Sequence, residues 1–249
     1  MTKLTKYLNF FSHPIVTLAP KTNIFIMSHM RATSSVLTHV LSSHTQICGH
    51  SELHSSYINY VHQLKTRAAL YDDKESFTHA DFLLDKLLHN KLKINESSFP
   101  LKPKYIFLLR DPERTMISMI KMHLNDKNSK DTIYKLEDYY LNRLDALTEY
   151  WQHLQGEKIY VSSESLTQQT DEVLKHLTEF LSLSSPLKSE YKVYRDTGVS
   201  GRGDPSANIK SGKILASTPV DLEGKALLGD LNMNNITSKY TDAVNLMCS

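Results

Sequence analysis

The segment from Lys104 to Leu124 constrains the fold more than any other part of the sequence. Its first six residues, KYIFLL, form an apolar run of β-forming residues that is long enough for a buried strand and short for a helix. Arg110, Asp111 and Pro112 follow directly, and apolar residues at helical spacing then run from Met116 to Leu124. Because Asp is a favoured N-cap and Pro fits the first helical position, the segment predicts a strand, a tight turn and a helix.

The same order of elements recurs along the chain. Further strands are predicted at Asn23–Met27, Ile47–Cys48 and Lys158–Ser162. Helices are predicted after Thr33, over Leu53–Leu70, Phe82–Leu92 and Leu136–Leu154, and around Leu174 to Leu181. Strands that alternate with helices indicate an α/β fold. We therefore predict three α/β/α layers with a central, mostly parallel sheet of about five strands.

We expect residues 1–249 to form a single domain, because α/β domains of this length are common. Residues 1–22 are interpreted as an N-terminal extension. Residues 196–214 hold four of the eight glycines and Pro205, and they predict a loop over the sheet edge.

Composition and charge exclude several classes of function. The 29 basic and 27 acidic residues give a formal net charge of +2, without the concentrated basic surface that a nucleic-acid partner needs. No apolar run reaches the ~18 residues of a membrane span and no signal-peptide pattern is seen, so we expect no integral membrane association and a cytoplasmic location. His50 and His54 are spaced i,i+4 but lack the HExxH arrangement, and no metal site is predicted.

Two strand-to-helix turns carry residues that suit an anion, and in open parallel sheets ligands bind at the carboxyl ends of the strands. Residues 28–35, SHMRATSS, place Arg31 and three hydroxyls before a helix that starts near Thr33. The N–H groups and the positive dipole end of that helix would attract an anion. The second turn places Arg110 at the end of a buried strand, with Ser118 farther along the next helix. From the residues alone, an ordinary cap and a solvated arginine remain the alternatives.

In order and spacing, these segments resemble the PAPS-dependent sulfotransferases (PAPS is 3′-phosphoadenosine 5′-phosphosulfate), in the style of small bacterial members. Phe25–Leu37, FIMSHMRATSSVL, is similar to the family's 5′-phosphosulfate loop, usually P-[RK]-S-G-[ST]-[ST]. Tyr105–Lys121, YIFLLRDPERTMISMIK, is similar to its 3′-phosphate motif, in which a Ser follows an Arg after eight residues. His44–His54 resembles the family's H-P-x-I-x-G-x-x-E-L stretch. Tyr160–Leu183 resembles its E-x-L region, and Thr197–Ile209 resembles its glycine-rich G-x-G-D loop.

The resemblance implies a P-loop-like fold, PAPS as co-substrate and PAP (adenosine 3′,5′-bisphosphate) as product, with no metal. The acceptor would be a hydroxyl or amine of a small molecule or glycan, such as a carbohydrate, a lipid or another metabolite. The implied nucleotide-binding residues are Arg31, Ala32, Thr33, Ser34 and Ser35 for the 5′ end, Arg110 and Ser118 for the 3′-phosphate, and Gly201, Arg202 and Gly203 in the glycine-rich loop. The acceptor's identity and a homodimeric state are left open.

The implied catalytic residues are Glu52, Arg31 and His54. A hydroxyl acceptor needs a base, and Glu52 matches the acidic position of the G-x-x-E-L stretch, although a Glu there is also an ordinary first-turn charge. Arg31 would stabilise the departing 5′-phosphate. His54 and His50 are alternative bases, because histidine titrates near neutral pH. His29 would either contact a sulfo oxygen or be a solvated loop residue.

The sequence departs from the family pattern at two positions of the phosphosulfate loop. Met30 stands where Pro is usual, and Thr33 stands where Gly is usual. Because a β-branched residue disfavours positive φ, we expect a right-handed turn at Thr33, or else weak binding. Two alternatives therefore remain: a degenerate homologue that binds PAP or another polyanion without turnover, and a P-loop-like kinase. The lack of a GxxxxGK[ST] motif counts against a kinase, and magnesium dependence would identify one.

Overall fold

The computed structural model describes residues 3–123, 130–195, 197–199, 207–216, 220 and 222–249. Within them, one parallel sheet contains β1 (Thr22–Ser28), β2 (Ile47–Cys48), β3 (Phe82–Leu87), β4 (Lys104–Leu109) and β5 (Glu157–Ser162). The strands lie in the order β2-β3-β1-β4-β5. This confirms the predicted fold class, a five-stranded parallel sheet flanked by helices.

Helices connect the strands and cover both faces of the sheet. They are α1 (Lys3–Phe11), α2 (Pro14–Thr17), α3 (Ser34–Ser42), α4 (Tyr60–Leu70), α5 (Lys74–His79), α6 (Pro112–His123), α7 (Lys130–His153), α8 (Ser163–Gln168), α9 (Thr170–Leu181), α10 (Leu222–Ala226) and α11 (Met233–Cys248). Short 3₁₀ helices lie at Glu96–Ser98 and Ala207–Ser211. Among the described helices, none combines the length and the apolar character needed to cross a membrane.

The central strands are apolar on both sides because each side covers a different core. In β1, Ile24 and Ile26 belong to the core formed with α3 and α9. Phe25 and Met27 belong to the core formed with α6, α7 and α11. Since successive side chains of a strand point to opposite faces, one short apolar run stabilises both layers and fixes the carboxyl end of β1.

The sequence prediction of a helix over Phe82–Leu92 is wrong. Residues Phe82–Leu87 form β3, which pairs with β1 and with β2. A short apolar run does not distinguish a strand from a buried helix by periodicity, and pairing with two neighbours decides the matter here. The consequence for the site is that Asp85 and Lys86 lie inside the sheet, each 2% exposed.

One further boundary differs from the sequence prediction. The helix predicted over Leu53–Leu70 begins only at Tyr60, where the Asn59 side chain accepts a hydrogen bond from the His62 N–H. The preceding residues are irregular, and Tyr57 forms an isolated bridge with Ile94. They therefore form a non-helical segment that passes the carboxyl end of the sheet.

The residues that precede β1 pack against neighbouring helices. Phe10 is fully buried in a small cluster with Tyr71 and Phe77. The guanidinium of Arg67 donates hydrogen bonds to the carbonyl oxygens of Thr17 and Ala19. These contacts tie α1 and α2 to α4 and α5.

Candidate active site

The loop between β1 and α3 has the backbone conformation of an anion-binding turn. Arg31 and Thr33 both have φ of 64°, in the left-handed region. The right-handed helix α3 begins at Ser34, and the Thr33 side chain makes no capping hydrogen bond to it. A left-handed residue beside a right-handed one forms a concave nest of N–H groups, which binds anions. The first N–H groups of α3 add the positive end of the helix dipole.

The expectation of a right-handed turn at Thr33 is therefore wrong. Left-handed backbone costs a non-glycine residue roughly 1–2 kcal/mol, so tertiary contacts must stabilise it. One such contact is the hydrogen bond between the Thr33 hydroxyl and the Ser163 hydroxyl. Ser163 is buried at the start of α8. The threonine thus keeps the conformation for which a glycine would be the usual choice.

The two predicted phosphate motifs meet in the structure. Arg31 Nε donates a 2.9 Å hydrogen bond to Ser118 Oγ, and Arg110 Nη1 donates a 2.9 Å hydrogen bond to the Arg31 carbonyl oxygen. All three side chains line a cleft of about 580 Å³, together with Ser34 and Ser35. Burial lowers the pKa of Arg110, and the Glu164 carboxylate opposes this effect. Two guanidinium groups and several hydroxyls in one cleft suit a phosphate-bearing ligand.

His29 lies beneath the loop and is fully buried. Its Nδ1 donates to the Met30 carbonyl oxygen at 2.9 Å, and its Nε2 accepts from the Arg110 N–H at 3.2 Å. This pattern assigns the neutral Nδ1–H tautomer. Both sequence-based interpretations of His29 are therefore wrong, because the ring is neither solvated nor available to a sulfo oxygen. It joins the carboxyl ends of β1 and β4.

A carboxylate and a cation occupy another part of the same cleft. The Glu52 side chain is 7% exposed, and its Oε2 lies 3.8 Å from Lys86 Nζ. Its Oε1 lies 3.2 Å from His54 Nδ1 but accepts no aligned hydrogen bond from the described residues. We interpret the His54 contact as electrostatic, because the distance is short and the alignment is absent. Buried polar atoms are usually hydrogen-bonded, so an unsatisfied oxygen at a cleft suits contact with a ligand donor.

Lys86 links the Glu52 carboxylate to Ser35, at the end of the loop between β1 and α3, and the sequence analysis did not identify Lys86 as a site residue. Its Nζ donates a 3.0 Å hydrogen bond to Ser35 Oγ and lies near Glu52. Misassigning β3 as a helix hid the residue. A signal was present, because FLLDKL places an acid and a base inside an apolar run. Buried charges are rare unless they are paired or functional.

The other predicted residues differ in where they lie relative to the cleft. Ala32 is fully buried among the core side chains beside α3, so only its backbone can serve a ligand. His50 stacks on Tyr194 with ring centroids 3.9 Å apart, and it is not among the cleft-lining residues. Gly201, Arg202 and Gly203 lie outside the described residues. Within the described part of the chain, no cluster of three or more His, Cys, Asp or Glu side chains could hold a metal ion.

A family model described as the sulfotransferase domain matches residues 21–196, which include the loop, both arginines and Glu52. The chain belongs to the sulfotransferase family. Transfer of a sulfo group is thus its general class of reaction. A search of curated proteins found no significant match.

Two solved structures with TM-scores above 0.5 agree with this fold. The sulfotransferase domain from the Curacin biosynthetic pathway is 16% identical, with a TM-score of 0.54 over 84% of this chain and 96% of that chain. The sulfotransferase domain from the Synechococcus PCC 7002 olefin synthase is 17% identical, with a TM-score of 0.59 over 89% of this chain and 95% of that chain. Mouse sulfotransferase SULT7A1 complexed with PAP is 12% identical, with a TM-score of 0.45 over 92% and 85%.

The left-handed backbone of Thr33 reverses the usual order of Ala and Gly substitutions in this sulfotransferase. Thr33→Ala and Thr33→Gly both lose the contact with Ser163, but only glycine tolerates φ of 64° without steric cost. In urea titrations, we expect the free energy of unfolding of the glycine variant to exceed that of the alanine variant by about 1 kcal/mol. At the exposed helical position Lys175, the opposite order is expected, with Lys175→Ala more stable than Lys175→Gly. An alanine variant at least as stable as the glycine variant would contradict the left-handed assignment.

The stability difference between the wild type and His29→Gln should depend on pH. Burial lowers the pKa of His29 from 6.5 to about 3, so below pH 6.5 the unfolded chain binds a proton at this residue and the folded chain does not. Stability from the neutral ring is complete above pH 6.5 and is lost toward pH 3. Between pH 7 and pH 4.5, urea unfolding should show the wild type losing roughly 2 kcal/mol relative to the variant. A difference that does not change with pH would mean that the folded ring protonates freely.

Proposed function

We propose that this sulfotransferase uses PAPS as its donor and transfers the sulfo group to a hydroxyl or amine of a small-molecule or glycan acceptor. PAPS would supply a sulfo group activated by its bond to a 5′-phosphate, next to a 3′-phosphate that serves as a binding handle. The observation that supports this best is the contact between the two motifs. Arg31, Ser118 and Arg110 form one hydrogen-bonded group in one cleft, although the motifs lie about eighty residues apart in the chain.

The described residues fit both ends of such a nucleotide. In this proposal Arg110 and Ser118 hold the 3′-phosphate, because a guanidinium fork can bind a phosphate through two charge-assisted hydrogen bonds. The 5′ end is held by the N–H groups of Ala32, Thr33, Ser34 and Ser35, and by the hydroxyls of the two serines. Lys213 and Asn208 also line the cleft. Gly201, Arg202 and Gly203 remain proposed contacts of the glycine-rich loop.

The proposed chemistry at the other part of the cleft rests on Glu52 and Lys86. Glu52 Oε1 accepts the proton of the acceptor hydroxyl while that oxygen bonds to sulfur. Arg31, Lys86 and the N–H groups at the start of α3 stabilise the charge that develops on the 5′-phosphate oxygen as its bond to sulfur breaks. His54, half exposed beside Glu52, is placed to assist or to receive the proton. Each residue therefore has a role set by its position relative to Ser35 and Glu52.

The proposal is tested first by titrating the purified protein with PAP in a calorimeter. Micromolar binding that weakens as salt rises is the expected result, because phosphate contacts are charge-assisted. Screening acceptors with radiolabelled PAPS would follow. No binding to the folded protein at low and at moderate salt would refute the choice of donor. Binding without transfer to any acceptor would favour a homologue that has lost turnover.

A further inference from the structure

The segment that carries Glu52 is not held by regular secondary structure. Strand β2 ends at Cys48, and Glu52 lies four residues beyond that end. Gly49 has φ of 128°, and a Cβ atom at that position would lie 2.1 Å from the Leu84 carbonyl oxygen of β3. Only glycine allows this close approach. The segment is therefore pressed against the edge of β3 at its start and must be fixed by other means at Glu52.

Asp85 of β3 provides that second attachment. Its Oδ1 accepts hydrogen bonds from the Leu53 N–H at 3.1 Å and from the Lys86 N–H at 2.8 Å. Its Oδ2 accepts a 2.8 Å hydrogen bond from the Tyr57 hydroxyl. Tyr57 is itself fixed, because its N–H and carbonyl oxygen bond to Lys93 and Asn95. One buried carboxylate thus joins the strand, the segment beside Glu52 and a fixed aromatic side chain.

We propose that Asp85 is the positioning residue for Glu52, an inference that rests on the proposed role of Glu52 as the base. The Leu53 N–H belongs to the peptide bond that directly follows Glu52, so the hydrogen bond from it to Asp85 fixes the backbone from which the Glu52 side chain extends. The neighbouring Lys86 reaches Glu52 Oε2 from the same strand. Strand β3 thereby sets the position of the Glu52 carboxylate in two ways, through the hydrogen bond of Asp85 to the Leu53 N–H and through the positive charge of Lys86.

The choice of an acid at this position has a cost that packing alone does not require. Burial raises the pKa of Asp85 to about 7, and the three donors oppose that rise. An apolar residue would avoid the burial cost but would leave the Leu53 N–H and the Tyr57 hydroxyl without an acceptor. The acid is thus explained by the segment that it holds. Since a displacement of about 1 Å can cost a reaction 100-fold, holding that segment affects turnover.

The test compares Asp85→Ala with Asp85→Asn, because the asparagine oxygen can still accept from the Leu53 N–H. Hydrogen–deuterium exchange of residues 49–57 should become about tenfold faster in the alanine variant and stay near wild type in the asparagine variant. PAP release from PAPS should fall roughly 10- to 100-fold in the alanine variant and less than about threefold in the asparagine variant. The dissociation constant of PAP should change little. Asp81→Ala is the matched control, since Asp81 accepts a hydrogen bond from Gln46 at the start of the same strand.

A double variant separates positioning from general destabilisation. If Asp85 acts through Glu52, then Glu52→Gln combined with Asp85→Ala should be no slower than Glu52→Gln alone, because neighbours on one path are not additive. Losses that multiply, or exchange at residues 49–57 that Asp85→Ala leaves unchanged, would overturn the proposal. Failure of the wild type to bind PAP would instead refute the proposed function. The exchange result would still decide whether Asp85 anchors the segment.

Discussion

Replacing Arg110 with alanine is expected to weaken PAP binding by about 100-fold or more. The proposed 3′-phosphate contact is a pair of charge-assisted hydrogen bonds in a partly buried cleft, and such bonds contribute roughly 1.5–3 kcal/mol each. A loss of about 3 kcal/mol corresponds to a factor of roughly 100 in the dissociation constant. Calorimetric titration of the wild type and of Arg110→Ala with PAP measures the two dissociation constants directly.

Arg110 also donates to the Arg31 carbonyl oxygen, so the variant needs controls for the loop itself. Arg110→Lys keeps the charge and loses the planar fork, and about tenfold weaker binding is expected. Lys175→Ala on the exposed face of α9 should bind as the wild type does. Thermal unfolding would verify that all three variants are folded. If Arg110→Ala binds PAP within about threefold of the wild type, the 3′-phosphate does not lie at this turn.

Replacing Glu52 with glutamine is expected to lower kcat by about 10²- to 10⁴-fold, the range that a general base supplies. Glutamine has nearly the same shape but cannot accept a proton. PAP binding should change by less than about threefold, because the proposed phosphate contacts come from the loop after β1 and the turn after β4. The measurement pairs sulfo transfer from radiolabelled PAPS, to an acceptor found by screening, with PAP calorimetry on the same preparations.

His54→Gln is the matched comparison for Glu52→Gln. His54 is half exposed and lies 3.2 Å from Glu52 Oε1, so its loss should reduce kcat by roughly tenfold or less if it only assists the base. The opposite order, with His54→Gln inactive and Glu52→Gln active, would assign the role of base to His54. Equal loss in both variants would indicate that the two side chains act as one unit.

Local sequence patterns were sufficient to predict four of the five strands and the positions of the two turns that follow β1 and β4. The run KYIFLL forms β4, and Asp111 caps α6 by accepting a 3.0 Å hydrogen bond from the Arg114 N–H. The positions of Arg31 and Arg110 at strand ends follow from the same local rules, because apolar runs and caps act over a few residues. The topology of a parallel sheet then places both arginines at one edge.

Contacts between distant segments decided the rest. Pairing with β1 and β2 made residues 82–87 a strand, which placed Lys86 at the cleft and Asp85 against the segment that carries Glu52. The hydroxyl of Ser163, 130 residues away, contacts Thr33 in a left-handed conformation that a threonine disfavours by itself. Such effects depend on neighbours that sequence spacing does not reveal, and they can exceed a local preference of about 1 kcal/mol. Thus the sequence by itself predicted two turns for an anion and Glu52 as the carboxylate near them, and the tertiary structure alone decided that Lys86 lies between Glu52 and the loop after β1.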